Sequence, residues 1–168
     1  MGPSAYLPET MTPFRVVAIP TSIADSVRSS HVSPRYGHPA HAEIATGYGP
    51  CRHCLRTFHV GSERRILFTY DAFEGQEALP LPGPVFIHAE ACERHAESGG
   101  FPEDLRRHAL TLNAYACGRL LRAQEYVKGG DPESALARLF ARPDVDYVHV
   151  RDTQAGCFDF RVERVVDA

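Results

Sequence analysis

The sequence has only one lysine, Lys128, among its 168 residues, and it contains no apolar run close to the length of a membrane span. Because a transmembrane helix needs about 20 apolar residues, we expect a protein without a membrane partner. The net charge is −3, and the arginines occur singly or in pairs, as at Arg64–Arg65 and Arg106–Arg107. A face that binds duplex DNA is normally strongly basic, so this distribution argues against nucleic acid as a partner.

Residues 1–12 lack both the basic start and the apolar stretch of a secretory signal peptide. We therefore expect a flexible N-terminal tail over residues 1–12, a single domain over residues 13–168 and a cytoplasmic location. Cytoplasmic thiols are kept reduced, and the number of cysteines is odd, at five. The sequence accordingly predicts free cysteines rather than a disulfide scaffold.

The signatures of several common enzyme classes are also missing. No Gly-x-Gly-x-x-Gly fingerprint and no P-loop occurs, so no motif predicts a nucleotide cofactor. The sequence has neither a Gly-x-Ser-x-Gly elbow nor a His-Glu-x-x-His pair. The residue patterns therefore identify no reaction, and they leave open whether the partner is a small molecule or another protein.

The apolar pattern predicts an α+β fold, with a largely antiparallel sheet and a few short helices packed on one side. No long parallel βαβ unit occurs, which favours antiparallel pairing. Asp131 and Pro132 have the residue types of a helix N-cap and first position, and they predict a helix up to Ala141. A short helix is also expected from Thr21 to Arg28. Strands are predicted at residues 13–19, 65–70, 85–88, 107–115, 119–127, 145–151 and 157–165.

Three segments have less regular patterns. Residues 29–50 are rich in glycine, proline and histidine, and we expect a long surface loop there. Residues 51–58 are expected to form a knuckle or a short helix. Residues 90–97 are expected to form a single helical turn that ends at a pair of glycines.

The sharpest local feature is the motif Cys51-Arg52-His53-Cys54. Two cysteines at this spacing can place both sulfurs on one metal ion, because a tight turn brings them within reach of tetrahedral zinc. The same spacing also suits a dithiol that cycles to a disulfide. One such pair is a weak signal, and the sequence contains no second pair.

A zinc site would need two more ligands from distant segments. The candidates are His88 and Cys92, spaced as His-x3-Cys, and Cys157. A turn of helix after His88 would place His88 and Cys92 on one face. Sulfurs of Cys51, Cys54 and Cys92 more than about 7 Å apart would exclude a shared site, since Zn–S bonds are only about 2.3 Å long. The alternative is that Cys92 and Cys157 are small buried apolar residues.

A nucleophilic cysteine is the rival hypothesis. Cys51 or Cys54 at the start of a short helix, beside Arg52 and His53, would have its thiolate stabilised by the helix dipole and by positive charge. Catalysis would also need a base such as His88 and a group that stabilises the developing charge.

The motifs together resemble those of the bacterial family named domain of unknown function 1203. The resemblance rests on four segments in the same order, at residues 50–56, 66–70, 83–92 and 145–157. The family tends to have Arg-Asn where this chain has Arg151-Asp152, a change that would alter charge and hydrogen bonding at a ligand contact. The resemblance implies a small cytoplasmic bacterial protein and no particular activity. It groups as motif positions Cys51, Cys54, His88, Cys92, Arg151 and Cys157.

Three functional hypotheses remain. The first is a binding or structural protein tied together by a metal ion, zinc by preference, held by Cys51, Cys54 and some of His88, Cys92 and Cys157. The second is a small enzyme that uses a cysteine thiolate or an open metal site. The third is a metal-free protein-interaction domain. A closed four-ligand site would favour the first hypothesis, three ligands plus water the second, and unclustered buried sulfurs the third.

Overall fold

The structure, a computed structural model, describes residues 13–165, so the tail predicted for residues 1–12 lies outside the described residues. The described chain has eight strands in two antiparallel sheets and two short α-helices, which confirms the predicted α+β class. The strands are β1 Phe14–Val17, β2 His41–Ile44, β3 Arg64–Asp71, β4 Pro82–His88, β5 Leu110–Ala116, β6 Leu120–Val127, β7 Tyr147–Asp152 and β8 Phe158–Arg164. The helices are α1 Thr21–Ser30 and α2 Pro132–Phe140, and a short 3-10 turn spans Glu103–Leu105.

The larger sheet has the order β1-β8-β7-β5-β6, with every neighbouring pair antiparallel. Helix α2 lies against the main core, in which its apolar stripe of Ala135, Leu136, Leu139 and Phe140 is buried. The Asp131 side chain caps α2 by accepting a hydrogen bond from the backbone N–H of Ser134. Local sequence signals and core packing thus agree in this half of the chain.

The smaller sheet has the order β2-β3-β4 and builds a second apolar core that includes Cys51 and Cys54. Strand β2 lies inside the segment predicted as a loop, so that prediction is wrong for residues 41–44. Its four residues, His-Ala-Glu-Ile, alternate polar and apolar, but the run is too short to predict a strand, and it forms one by pairing with β3. Strand β4 extends further back than predicted, to Pro82, because proline is tolerated on an edge strand.

The knuckle, residues 51–54, connects the two sheets. The backbone N–H of Arg52 donates to Phe86 O in β4, and the Arg52 side chain donates to Phe158 O in β8. Neither the knuckle nor residues 90–97 forms a helix, so the helical turn predicted at 90–97 is wrong. That segment crosses the knuckle in an irregular conformation, with the His95 N–H donating to His53 O. No helix within residues 13–165 is long and apolar enough to cross a bilayer.

Candidate metal centre

Four of the predicted metal-ligand residues meet at one point in the structure. One donor atom from each of Cys51, Cys54, His88 and Cys92 lies within 4.8 Å of the other three donors. This distance is below the limit of about 7 Å that would exclude a shared site. The result is a Cys3His cluster that is compatible with a metal ion.

Two of the donor–donor distances inside the cluster are close to the edges of a tetrahedral coordination shell. Zn–S bonds of about 2.3 Å and Zn–N bonds of about 2.0–2.1 Å give sulfur–sulfur edges near 3.8 Å and sulfur–nitrogen edges near 3.6 Å. The Cys51 and Cys92 sulfurs are 3.9 Å apart, and the Cys54 sulfur is 3.4 Å from His88 Nδ1. All three cysteines are free thiols. Binding a metal would therefore require only small movements of these donors.

The knuckle owes its shape to a tight turn. The Leu55 N–H donates to Cys51 O at 2.8 Å, which brings the ends of the motif together. Leu55 itself has a φ of 58°, a left-handed conformation that is uncommon for a bulky residue. Its side chain is fully buried, so packing holds the backbone in this conformation. Such constrained positions tend to occur at functional sites.

The other two donors come from one strand and the segment that follows it. His88 is the last residue of β4, and Cys92 lies four positions later in the irregular stretch. The predicted proximity of His88 and Cys92 is therefore produced by a loop and not by a helical turn. Arg94 holds this loop in place, since its guanidinium donates to the backbone oxygens of Ala18 and Ile19.

Glu63 orients the imidazole of His88. The His88 Nε2 atom lies 2.9 Å from a Glu63 carboxylate oxygen, while Nδ1 faces the Cys54 sulfur. A carboxylate on the far nitrogen of a metal-binding histidine fixes the tautomer and makes the other nitrogen a better donor. The sequence reasoning missed Glu63. The pairing of β3 with β4 could have indicated that Glu63 lies near His88. Arg65 in β3 lies opposite His88, and Glu63 comes two residues before Arg65.

The Cys92 sulfur has two polar partners outside the cluster. Arg28 Nη2 donates to it at 3.1 Å, and His53 Nδ1 lies 3.1 Å away. Burial, followed by the charge of Arg28, lowers the pKa of His53, so its ring stays neutral. With Thr21 Oγ1 2.9 Å from Nε2, the neutral ring can accept from Thr21 and donate to Cys92. Arg28, in the last turn of α1, was also missed by the sequence reasoning.

The ionisation of the cluster is strongly coupled. Burial raises the pKa of Cys51, but hydrogen bonds with Cys54, Cys92 and His88 outweigh it and lower that pKa overall. Hydrogen bonds with Cys51 and Cys92, and then burial, raise the pKa of Cys54. Neighbouring sulfurs therefore do not ionise together. A divalent cation would remove this restriction, because it offsets the charge of several thiolates at once.

The charge of His88 depends on the same contacts. Burial lowers the pKa of His88, but hydrogen bonds with Cys51 and Cys92, the charge of Cys51 and the bond to Glu63 raise it to about 10. Metal binding requires a neutral imidazole, so a bound cation would displace this proton.

The remaining predicted site residues lie apart from the cluster. Cys157 is outside the group of four, and its sulfur is 3.8 Å from Ala155 O in the turn before β8. Arg52 is buried and bonded to Pro50 O and Phe158 O, so its guanidinium is directed away from the sulfurs. Arg151 donates to Gly156 O within the β7–β8 turn.

Comparison with known families gives one match. A family model described as Protein of unknown function (DUF1203) matches residues 48–164. This range includes all four donors and Glu63, whereas Arg28 precedes it. No curated protein and no solved structure matches the chain.

Proposed function

The chain belongs to the family described as Protein of unknown function (DUF1203), and we propose that Cys51, Cys54, His88 and Cys92 bind one structural zinc ion. The observation that carries the proposal is the meeting of these donors, from three separate stretches of the chain, at the distances of a tetrahedral shell. Clustered sulfurs are also the opposite of what a metal-free interaction domain predicts.

The donor set supports zinc over other metals. Thiolate and imidazole ligands are poorly suited to magnesium, calcium and manganese, which prefer oxygen. Tetrahedral sites with sulfur and nitrogen ligands are typical of zinc, and Cys3His is one of its common structural sets. Iron is the main competitor for such a site, and metal analysis distinguishes the two elements.

The number and burial of the donors support a structural role. Four protein ligands fill a tetrahedral shell and leave no position for a water molecule or a substrate. Cys51 is 0% exposed and Cys54 8% exposed, so both knuckle cysteines are buried residues, and Cys54 keeps only a small exposed fraction. This closed arrangement favours the first of the three hypotheses over an enzyme with an open metal site.

A bound zinc ion would add a strong link between parts of the chain that are otherwise joined by individual hydrogen bonds. It would join the knuckle to the end of β4 and to residues 89–98, which have no regular secondary structure. Structural zinc sites bind with about 10–16 kcal/mol of apparent free energy, and much of that energy appears as folding stability. A reducing compartment such as the cytoplasm would keep the three thiols available to the metal.

Metal analysis of a matched pair of variants tests the proposal. Protein purified without chelators should contain about one zinc per chain by inductively coupled plasma mass spectrometry. Cys51→Ser should lose the metal and much of the thermal stability, because it removes a buried ligand. Cys157→Ser is the control, and it should keep both, since Cys157 lies outside the cluster.

Two results would contradict the proposal. One is wild-type protein that stays metal-free after refolding with zinc while all its cysteines titrate as free thiols. The other is equal loss of zinc in both variants, which would mean that the metal is not held by the cluster.

A further inference from the structure

Cys54 differs from the other two cysteines of the cluster because it lines a cavity. Cys54 lines a cavity of about 440 Å³, together with Arg56, His95 and Phe101. Cys51 is fully buried, and Cys92 does not line this cavity. A small polar molecule could therefore approach the cluster through this cavity on the Cys54 side.

The hydrogen bonds of the three sulfurs also distinguish Cys54 from Cys51 and Cys92. Cys92 is half-buried, but its sulfur is held by the Arg28 guanidinium and by His53. Cys51 accepts the backbone N–H of His88 at 3.2 Å. The hydrogen-bond partner of the Cys54 sulfur is another donor of the cluster, His88 Nδ1. Within the described residues, no guanidinium donates to the Cys54 sulfur, in contrast to Cys92.

Hydrogen bonds to a thiolate withdraw charge from the sulfur and make it a weaker nucleophile. Hydrogen bonds that involve a charged group are the stronger ones, and one such bond corresponds to about tenfold in rate. In the zinc-loaded centre His88 Nδ1 would bind the metal and carry no proton, so Cys92 would keep a charged donor, Arg28, whereas Cys54 would have none. The most reactive thiolate should therefore be the one that also faces the cavity.

We propose that Cys54 is the peroxide-reactive sulfur of the centre and that Cys51 resolves its oxidised form, which opens the metal site. The inference rests on the proposed zinc site. Hydroperoxides are the substrate class favoured by the structure, because a second sulfur lies within 4.8 Å and can complete a disulfide. Redox-sensing cysteines are commonly placed beside a resolving cysteine in this way.

The chemistry balances with a peroxide as the only oxidant. The Cys54 thiolate attacks one peroxide oxygen, the O–O bond breaks and hydroxide leaves, which gives a sulfenic acid. The Cys51 thiolate then attacks the Cys54 sulfur, forms the S–S bond and expels a second hydroxide. Two electrons pass from the two sulfurs to the peroxide, and both hydroxides take up protons from solvent. The disulfide would leave only His88 and Cys92 to hold a zinc ion, so the centre would release the metal.

The test uses full-length, zinc-loaded protein and less than one equivalent of hydrogen peroxide. Dimedone traps sulfenic acids, peptide mass mapping locates the adducts, and a chromogenic chelator records zinc release. We expect about tenfold more adduct on Cys54 than on Cys92, as one charged hydrogen bond predicts. Without dimedone, a Cys51–Cys54 disulfide should form in step with zinc release.

Cys117, which is exposed and lies outside the cluster, serves as the internal reference for an ordinary thiol. Arg28→Gln provides a second measurement, because it removes the charged donor from Cys92. Dimedone adduct on Cys92 should rise severalfold in this variant, while adduct on Cys54 should stay unchanged.

Adducts that form first on Cys92 or Cys117 in zinc-loaded protein would overturn this inference and leave the zinc site intact. Unchanged adduct on Cys92 in the Arg28→Gln variant would also overturn it. Failure of the wild-type protein to bind zinc would instead refute the metal site itself, and the proposed reactivity with it.

Discussion

Asp159, in β8, is fully buried beside the knuckle residue Arg52. The Arg52 Nη2 atom lies 3.3 Å from Asp159 Oδ1, but neither carboxylate oxygen has a hydrogen bond within the described residues. The contact is therefore an ion pair with poor hydrogen-bond geometry, and it offsets only part of the cost of burial. Burial raises the pKa of Asp159 from 3.8 to about 7, and the charge of Arg52 opposes that rise.

This pKa makes the stability of the fold depend on pH. The native state binds the Asp159 proton more tightly than the unfolded chain does. The protonated carboxyl group therefore stabilises the fold fully below about pH 4, and this stabilisation is lost as the pH rises through 7. The substitution Asp159→Asn removes the ionisable group and keeps the shape. The two pKa values imply that wild-type protein loses about 2.5 kcal/mol relative to Asp159→Asn between about pH 5 and pH 8.

Urea unfolding of both proteins at about pH 5 and pH 8, each loaded with zinc, measures this difference. The Arg52 ion pair exists only where Asp159 is ionised, so its energy is already contained in the native-state pKa. The difference between an amide and a protonated carboxyl group is the same at both pH values, and metal-linked protonation is common to both proteins. The difference between the two unfolding free energies is therefore compared at the two pH values, and only its change from one pH to the other reports on Asp159. Unfolding free energies that change in parallel, within about 0.5 kcal/mol, would refute the reasoning about this buried carboxyl group.

Three further substitutions have defined expectations. Glu63→Gln should weaken zinc binding about tenfold to a hundredfold by competition with a chelator, because it removes the carboxylate on His88, whereas Glu43→Gln should not. Asp131→Ala should reduce the unfolding free energy by about 1 kcal/mol in urea titrations, since α2 loses its N-cap. Leu136→Ala should cost about 2–5 kcal/mol in the same assay, because it opens a cavity in the main core. The last two variants should keep their zinc.

The helices and strands that the sequence predicted well are those whose ends are set by residues close to them in the sequence. Asp131 and Pro132 set the start of α2 without any help from the rest of the chain. The β7–β8 pairing follows from two apolar segments around a short turn. By contrast, the alternation of β2 extends over only four residues, too few to predict a strand, and β2 exists through its pairing with β3. The irregular path of residues 90–97 depends on the Arg94 contacts to Ala18 and Ile19, just after β1, which local propensity cannot show.

In the candidate site, too, short sequence spacings were predictable and contacts between distant segments were not. The short spacings of Cys51 with Cys54, and of His88 with Cys92, identified the four clustered donors. Cys157 was included because it is one of the cysteines of the motif, but it lies in the turn before β8. The partners Glu63 and Arg28 were missed, because strand register and the position of α1 bring them to the donors.

X-ray absorption at the zinc K-edge of the purified protein tests the central claim most directly, because it counts the ligands of the metal. The account predicts three sulfurs at about 2.3 Å and one nitrogen at about 2.0–2.1 Å, with the same spectrum in the Cys157→Ser variant. A first shell made only of oxygen and nitrogen, or a spectrum that loses a sulfur in Cys157→Ser, would contradict the assignment of Cys51, Cys54, His88 and Cys92.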